Sequence, residues 1–108
     1  MTLFENYDAA LDARAAALTR EAEAVREDQR AHSIALMQAS MLGEMLKTLG
    51  RVEHERRPGI LQTLIDQAAG NAAAARARDD FDTAEREEIK ASTIRWALET
   101  LKRLEAKV

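Results

Sequence analysis

Residues 34–49 read IALMQASMLGEMLKTL, and this stretch decides the predicted fold. Two apolar lines run through it, and each advances by steps of mostly three or four residues, which is the spacing of one helix face. The first line contains Leu36, Ala39, Leu42, Leu46 and Leu49, and the second contains Ile34, Met37, Met41 and Met45. A helix that is apolar over so wide an arc requires more than one neighbour.

The first line can be followed back almost to the start of the chain. Its earlier members are Phe4, Tyr7, Leu11, Ala15, Leu18, Ala22, Val25, Gln29 and His32. Thr2 and Glu5 have the pattern of a capping box at one end, and Gly50 occupies the position of a helix C-cap at the other. The pattern predicts one helix over about residues 3–49 with coiled-coil-like spacing.

The remaining chain predicts two shorter helices. Residues 51–59 (RVEHERRPG) form a connector whose Pro58 suits the first turn of a helix over about 59–78. Asp82 and Glu85 then form a second capping-box pattern before a helix over about 83–106. The two helices together match the first in length. We therefore expect an all-α helical hairpin, a single domain over 1–108, in which they pack antiparallel along helix 3–49.

Composition supports a helical chain and narrows the classes of function. Hydrophobic residues make up 46% of the chain, many of them alanine, a strong helix former. The net charge of −3 gives no bulk attraction to nucleic acid or to an anionic membrane. The lack of cysteine excludes disulfides and thiolate chemistry and fits a cytoplasmic location. No secretory signal or membrane-spanning stretch is expected.

The second apolar line predicts a contact surface, because the alanine-rich helix opposite leaves its methionines uncovered. The residues expected at a homo-oligomer or partner interface are Ile34, Met37, Met41, Met45, Ile89 and Trp96. Small helical proteins often bury such surface by oligomerisation. The alternative is a chain that bends at Gly70 or near Arg30 and encloses these residues in a monomeric bundle of three or four helices.

Two polar groups are further candidates. Arg51, His54, Arg56 and Arg57 are predicted to bind an anion or an acidic partner, because they precede a helix N-terminus. A solvated turn is the alternative for this group. Gln29 and His32 fall on the first apolar line, where polar residues can fix the register of packed helices.

Catalytic, metal-binding and cofactor-binding patterns are not expected from this sequence. The chain therefore favours a non-enzymatic, self-associating adaptor, scaffold or regulatory protein that binds a protein partner. A nucleic-acid-handling oligomer is the alternative, by architectural analogy with small helical-hairpin subunits of viral or mobile-element DNA-packaging machines. Arg26 and His32 also have a spacing that resembles the arginine–histidine motif of helical HEPN-type ribonucleases, which implies ribonuclease activity as a third hypothesis.

Overall fold

The structure, a computed structural model, describes residues 3–107 and contains four α-helices. They are α1 (Leu3–Ala24), α2 (Gln29–Leu49), α3 (Arg57–Ala77) and α4 (Phe81–Glu105), with a 3-10 turn at His54–Arg56 before α3. The all-α prediction is confirmed, and the two predicted helices of the second half begin two residues earlier than expected. Thr2 and the side chain of Phe4, which belong to the predicted start of the first helix, lie outside the described part.

The prediction of one continuous helix over residues 3–49 is wrong. The chain leaves α1 after Ala24, turns through residues 25–28, and starts α2 at Gln29. Asp28 has extended backbone angles (φ −92°, ψ 95°), and its Oδ1 accepts a hydrogen bond of 3.1 Å from the Ala31 backbone N–H. This N-cap satisfies one of the free donors at a helix start. The bend near Arg30, stated above as the alternative, is therefore present.

The helices form two antiparallel hairpins, because α1 packs along α2 and α3 packs along α4. Arg57 pairs with Asp8, and His54 pairs with Glu105, which brings the starts of α1 and α3 to the end of α4. Helix α4 joins the hairpins through contacts with both α1 and α2. The expected antiparallel packing of helix 59–78 along helix 3–49 is therefore also wrong, since α3 packs along α4 instead.

The core tapers from one end of the bundle to the other. Large buried side chains lie toward the end where α2 finishes and α3 begins, and they include Tyr7, Leu11, Leu49, Leu61 and Leu101. The opposite end, near the two hairpin turns, is closed largely by alanines, which include Ala22, Ala35, Ala72, Ala75 and Ala84. Small side chains let helices approach closely but remove less apolar area from water.

The turn between α3 and α4 is held by its backbone and by one aspartate cap. Asp80 N–H donates to Ala75 O at 2.8 Å and Asp79 N–H donates to Arg76 O at 3.1 Å, which is the Schellman pattern of a helix end. Asp80 Oδ1 then accepts from Thr83 N–H at 3.2 Å, and the Thr83 hydroxyl together with this N–H lowers the pKa of Asp80 below its ordinary value. The cap is thus Asp80, and the capping box predicted at Asp82 is wrong.

Asp79 adopts a left-handed backbone conformation, with φ of 59°, at the position where helices usually place glycine. We expect Asp79→Gly to raise the free energy of unfolding by about 1 kcal/mol, because glycine has no Cβ to crowd this conformation. Urea denaturation would measure the gain. As a control, Ala74→Gly at an exposed site inside α3 should lower stability by about 1 kcal/mol. An equal loss in both variants would contradict the prediction.

Candidate partner-binding groove

An open apolar groove runs between α2 and α3, with α4 as its floor, and has a volume of about 460 Å³. Its apolar lining comprises Met37, Met41, Met45 and Leu49 from α2, Leu61 and Leu64 from α3, and Ile94 from α4. Met45 is buried at 7% exposure, whereas Met37 and Met41 keep part of their surface open to solvent. The three methionines are four residues apart and form one ridge along the wall.

The groove is open because α4 changes character along its inner side. Ile94 and Ala97 are buried there, but the positions one and two turns earlier are Lys90 and Glu87. Both side chains line the groove, together with Arg86. Enclosing these charges without partners would cost far more than leaving them at an open surface. Helices α2 and α3 therefore stay apart where the floor is charged.

The charges of the groove form no close ion pair within the described chain. None of the ion pairs among residues 3–107 includes Glu44, Arg86, Glu87 or Lys90. Glu87 is half-buried, and its Oε2 is shielded from solvent without a hydrogen bond to any described residue. A shielded carboxylate oxygen without a donor is energetically costly, so this oxygen is a strong acceptor for a group that enters the groove.

The predicted interface residues do not form one surface. Met37, Met41 and Met45 share the groove, while Ile34 lies in a separate hollow between α1 and α2 near Val25. Trp96 faces α1, where the Arg14 guanidinium lies 5.8 Å from its ring centroid. Ile89 is partly buried and does not line the groove. The methionine ridge is thus the part of the predicted set that the structure brings together.

Leu36 was expected on the inner line of the first helix but is 42% exposed. After the turn at 25–28, the inward side of α2 begins at Ala35 instead of Leu36, and it continues with Leu42 and Leu49 of the first apolar line and with Met45 of the second. The apolar spacing that leads from Ala22 to Leu36 therefore crosses from α1 through a turn into α2.

Arg57 is an internal residue, so its predicted contact with a partner or anion is wrong. The side chain is fully buried and joins three helices. Its Nη1 donates to Asp8 Oδ1 at 3.2 Å, its Nη2 donates to the Leu49 carbonyl at 2.9 Å, and its guanidinium lies 5.4 Å from the Tyr7 ring centroid. Burial is possible because the charge is matched by these acceptors.

The other connector arginines lie at the surface, whereas His54 is partly buried. Arg51 and Arg56 are exposed, as are Glu53 and Glu55 between them, and His54 Nε2 lies 3.2 Å from Glu105 Oε1. A contact between these residues and an acidic partner or an anion stays a prediction, as does the nucleic-acid hypothesis that draws on them.

His32 holds the first hairpin together. Its Nδ1 donates to the Ala22 carbonyl at 2.7 Å and so ties the first turn of α2 to the last turn of α1. Gln29 is exposed at the start of α2. The sequence predicts a register role for this pair within one long helix, whereas His32 makes its contact between the two helices of the first hairpin.

The two residues of the ribonuclease hypothesis lie apart. Arg26 pairs with Glu23 on the exposed turn at 3.7 Å, and His32 bonds to Ala22, so no hydrogen bond or ion pair joins Arg26 to His32.

The charged floor of the groove was missed from sequence, although a signal for it exists. Residues 87, 90, 94, 97, 98 and 101 share one side of the helix, and the first two carry charges. When the inward side of a helix changes from apolar to charged, its neighbouring helices cannot pack closely over the charged part, and a groove remains there.

Comparison with protein families, with curated proteins and with solved structures finds no match to this chain. Over residues 3–107, no helix combines the length and the apolar character needed to cross a bilayer. Within the same range, no three His, Asp or Glu side chains are grouped to hold a metal ion.

Proposed function

We propose that this protein is a non-enzymatic helical adaptor that binds a segment of another polypeptide in the groove between α2 and α3. The observation that carries the proposal is the methionine ridge, whose Met37 and Met41 keep part of their surface open along the wall of an otherwise folded bundle. Methionine side chains are flexible and polarizable, so they fit varied apolar surfaces. Contiguous apolar patches of this kind are typical of interaction sites.

The charges around the groove support a protein ligand. Glu44 stands on the α2 wall, and Arg86, Glu87 and Lys90 stand on the α4 floor, so both signs of charge border the apolar strip. An apolar strip with a charged border is the usual arrangement at protein interfaces, where the border charges select the partner. Self-association, expected from the sequence, is the competing use of the same strip.

Met41→Asp is expected to abolish binding at the groove, because the new carboxylate would face apolar atoms of the ligand and lose its water. The test selects binders from a displayed library of random peptides on the wild-type protein. The proposal predicts selected peptides rich in large apolar residues that bind at least about tenfold more weakly to Met41→Asp, a loss of about 1.4 kcal/mol. Thermal unfolding of both proteins would show that the variant remains folded.

Ala74→Asp provides the matched control, since Ala74 is exposed on α3 and does not line the groove. This variant should bind the selected peptides like the wild type. Peptides that bind Met41→Asp and wild type equally would remove the groove from the proposal. Sedimentation equilibrium addresses the competing use. A mass above the monomer value of 12.0 kDa that falls to it in Met41→Asp would show a second copy in the groove.

A further inference from the structure

The walls of the groove determine the backbone conformation of what can bind there. All three walls are α-helices, whose N–H and C=O groups are paired within each helix. They offer an incoming chain no row of backbone hydrogen bonds, and an extended segment would bury its own N–H and C=O groups unpaired. An α-helix satisfies these groups internally, so a helix can occupy an apolar groove without this cost.

The methionine ridge also fits a helical occupant in shape. Met37, Met41 and Met45 are spaced by four residues, which is the ridge that interlocks with a second helix at an interaxial distance of about 8–10 Å. The groove extends from Met37 to Leu49 along α2. At about 1.5 Å per residue this is about 18 Å, which corresponds to about three turns of a bound helix.

A folded second copy of this chain offers, among its described residues, no line of largely exposed apolar side chains with helical spacing. Its large exposed apolar side chains are Val25, Leu36 and Phe81, at 37%, 42% and 60% exposure. Val25 lies in the turn between α1 and α2, Leu36 on the outer side of α2, and Phe81 at the start of α4. These three side chains therefore do not form a line with helical spacing. The groove itself is concave, and two concave surfaces do not fill each other. The occupant is therefore a different polypeptide.

Glu87 specifies the charge of that polypeptide at one position, while Arg86 and Lys90 on the same floor can pair with acidic residues elsewhere along it. The Glu87 Oε2 is shielded on the groove floor and accepts no hydrogen bond from any described residue. A lysine or arginine on the bound helix would supply both the donor and the opposite charge, and a charge-assisted bond of this kind is about twice as strong as a neutral one. An acidic residue at the same position would be repelled.

We infer that the groove binds an amphipathic α-helix of a partner protein, about three turns long, that carries a lysine or arginine opposite Glu87. This inference rests on the proposed function and names its ligand class. The apolar face of the helix packs on the methionine ridge, and its basic residue reaches the floor of the groove. Glu44 on the α2 wall adds a second acidic group at the border.

The probes are fluorescein-labelled, leucine-faced peptides of about 14 residues, long enough for the groove and a flank. One set carries a single arginine at successive positions beside the leucine face, and a matched set carries glutamate there. By fluorescence anisotropy, the best arginine peptide should bind the wild type at least about tenfold more tightly than its glutamate match. Glu87→Lys should reverse this preference. Glu99→Lys makes the same charge change at an exposed site outside the groove and should preserve it.

The outcomes separate this inference from the proposed function. If peptides bind in a Met41-dependent manner but arginine and glutamate forms bind equally, the adaptor proposal stands and the role of Glu87 is overturned. Equal binding by peptides with a central proline, which cannot form a helix, would overturn the helical occupant. A Met41-dependent dimer that no peptide displaces would replace the partner helix by a second copy. Failure of every library and probe peptide to bind would remove the adaptor proposal itself.

Discussion

Replacing Arg57 with alanine is expected to lower the free energy of unfolding by about 3–5 kcal/mol, the largest effect of any single change considered. The side chain is fully buried and joins the starts of α1 and α3 to the end of α2. Truncation leaves the Leu49 carbonyl without this donor and opens a cavity under the Tyr7 ring. Both losses act on the same junction, so the hairpins should separate at lower denaturant concentration.

Urea denaturation followed by circular dichroism would measure the loss. Arg56→Ala is the matched control, because Arg56 is the exposed neighbour in sequence, and its removal should change stability by less than about 0.5 kcal/mol. Arg57→Lys should restore only part of the stability, because a single ammonium cannot reach both acceptors as the guanidinium does. A loss below about 1 kcal/mol in Arg57→Ala would contradict the assignment of Arg57 as the junction residue.

The protein is also expected to lose stability in alkali as Tyr7 ionises. Burial raises the pKa of Tyr7 from 10.0 to about 12, with Arg57 opposing the rise and Asp8 adding to it. The folded state therefore favours the neutral phenol. The part of the stability that depends on the neutral Tyr7 phenol is fully present below pH 10, which is the pKa in the unfolded chain. It is lost as the pH rises from 10 to about 12, the pKa in the folded protein. The loss amounts to about 3 kcal/mol for a shift of this size.

The titration can be observed directly, because Tyr7 is the single tyrosine of the chain. Ultraviolet absorbance of the phenolate should give a midpoint near 12 in the folded protein. Tyr7→Phe should remove this part of the alkaline loss. The variant should be at least as stable as wild type at neutral pH, because the buried hydroxyl has no hydrogen-bond partner among the described residues. A midpoint near 10 would show that the phenol is solvated.

The sequence is sufficient to predict helices but not the bend between α1 and α2. Spacing by threes and fours persists through residues 25–28, and this segment contains neither glycine nor proline. The physical signal is Asp28, an efficient N-cap within a charged segment that prefers water. A local pattern alone cannot decide between a continued helix and a capped restart. The decision depends on the packing of α1 against α2, which involves residues far apart in sequence.

The site was predicted in part, and the missing parts have a common cause. The methionine ridge could be identified because its side chains repeat every four residues on one helix. Arg57 was placed at the surface because charged connector residues usually lie in water. Its burial depends on Asp8, which is 49 residues away in the sequence. The open groove similarly depends on the contacts of α4 with α1 and α2, and the sequence-based packing of helix 59–78 along helix 3–49 does not predict them.

The tapered core implies that the two ends of the bundle open with different free energies. Near the hairpin turns, alanines contribute little apolar area, so the final turns of α1 and α3 should exchange their amide protons through local fluctuations. Around Arg57, release of any one helix breaks a shared hydrogen-bond network, so protection there should approach that of global unfolding. The end around Arg57 would then unfold as one cooperative unit, whereas the alanine-rich end near the hairpin turns would open locally while the rest of the molecule stays folded.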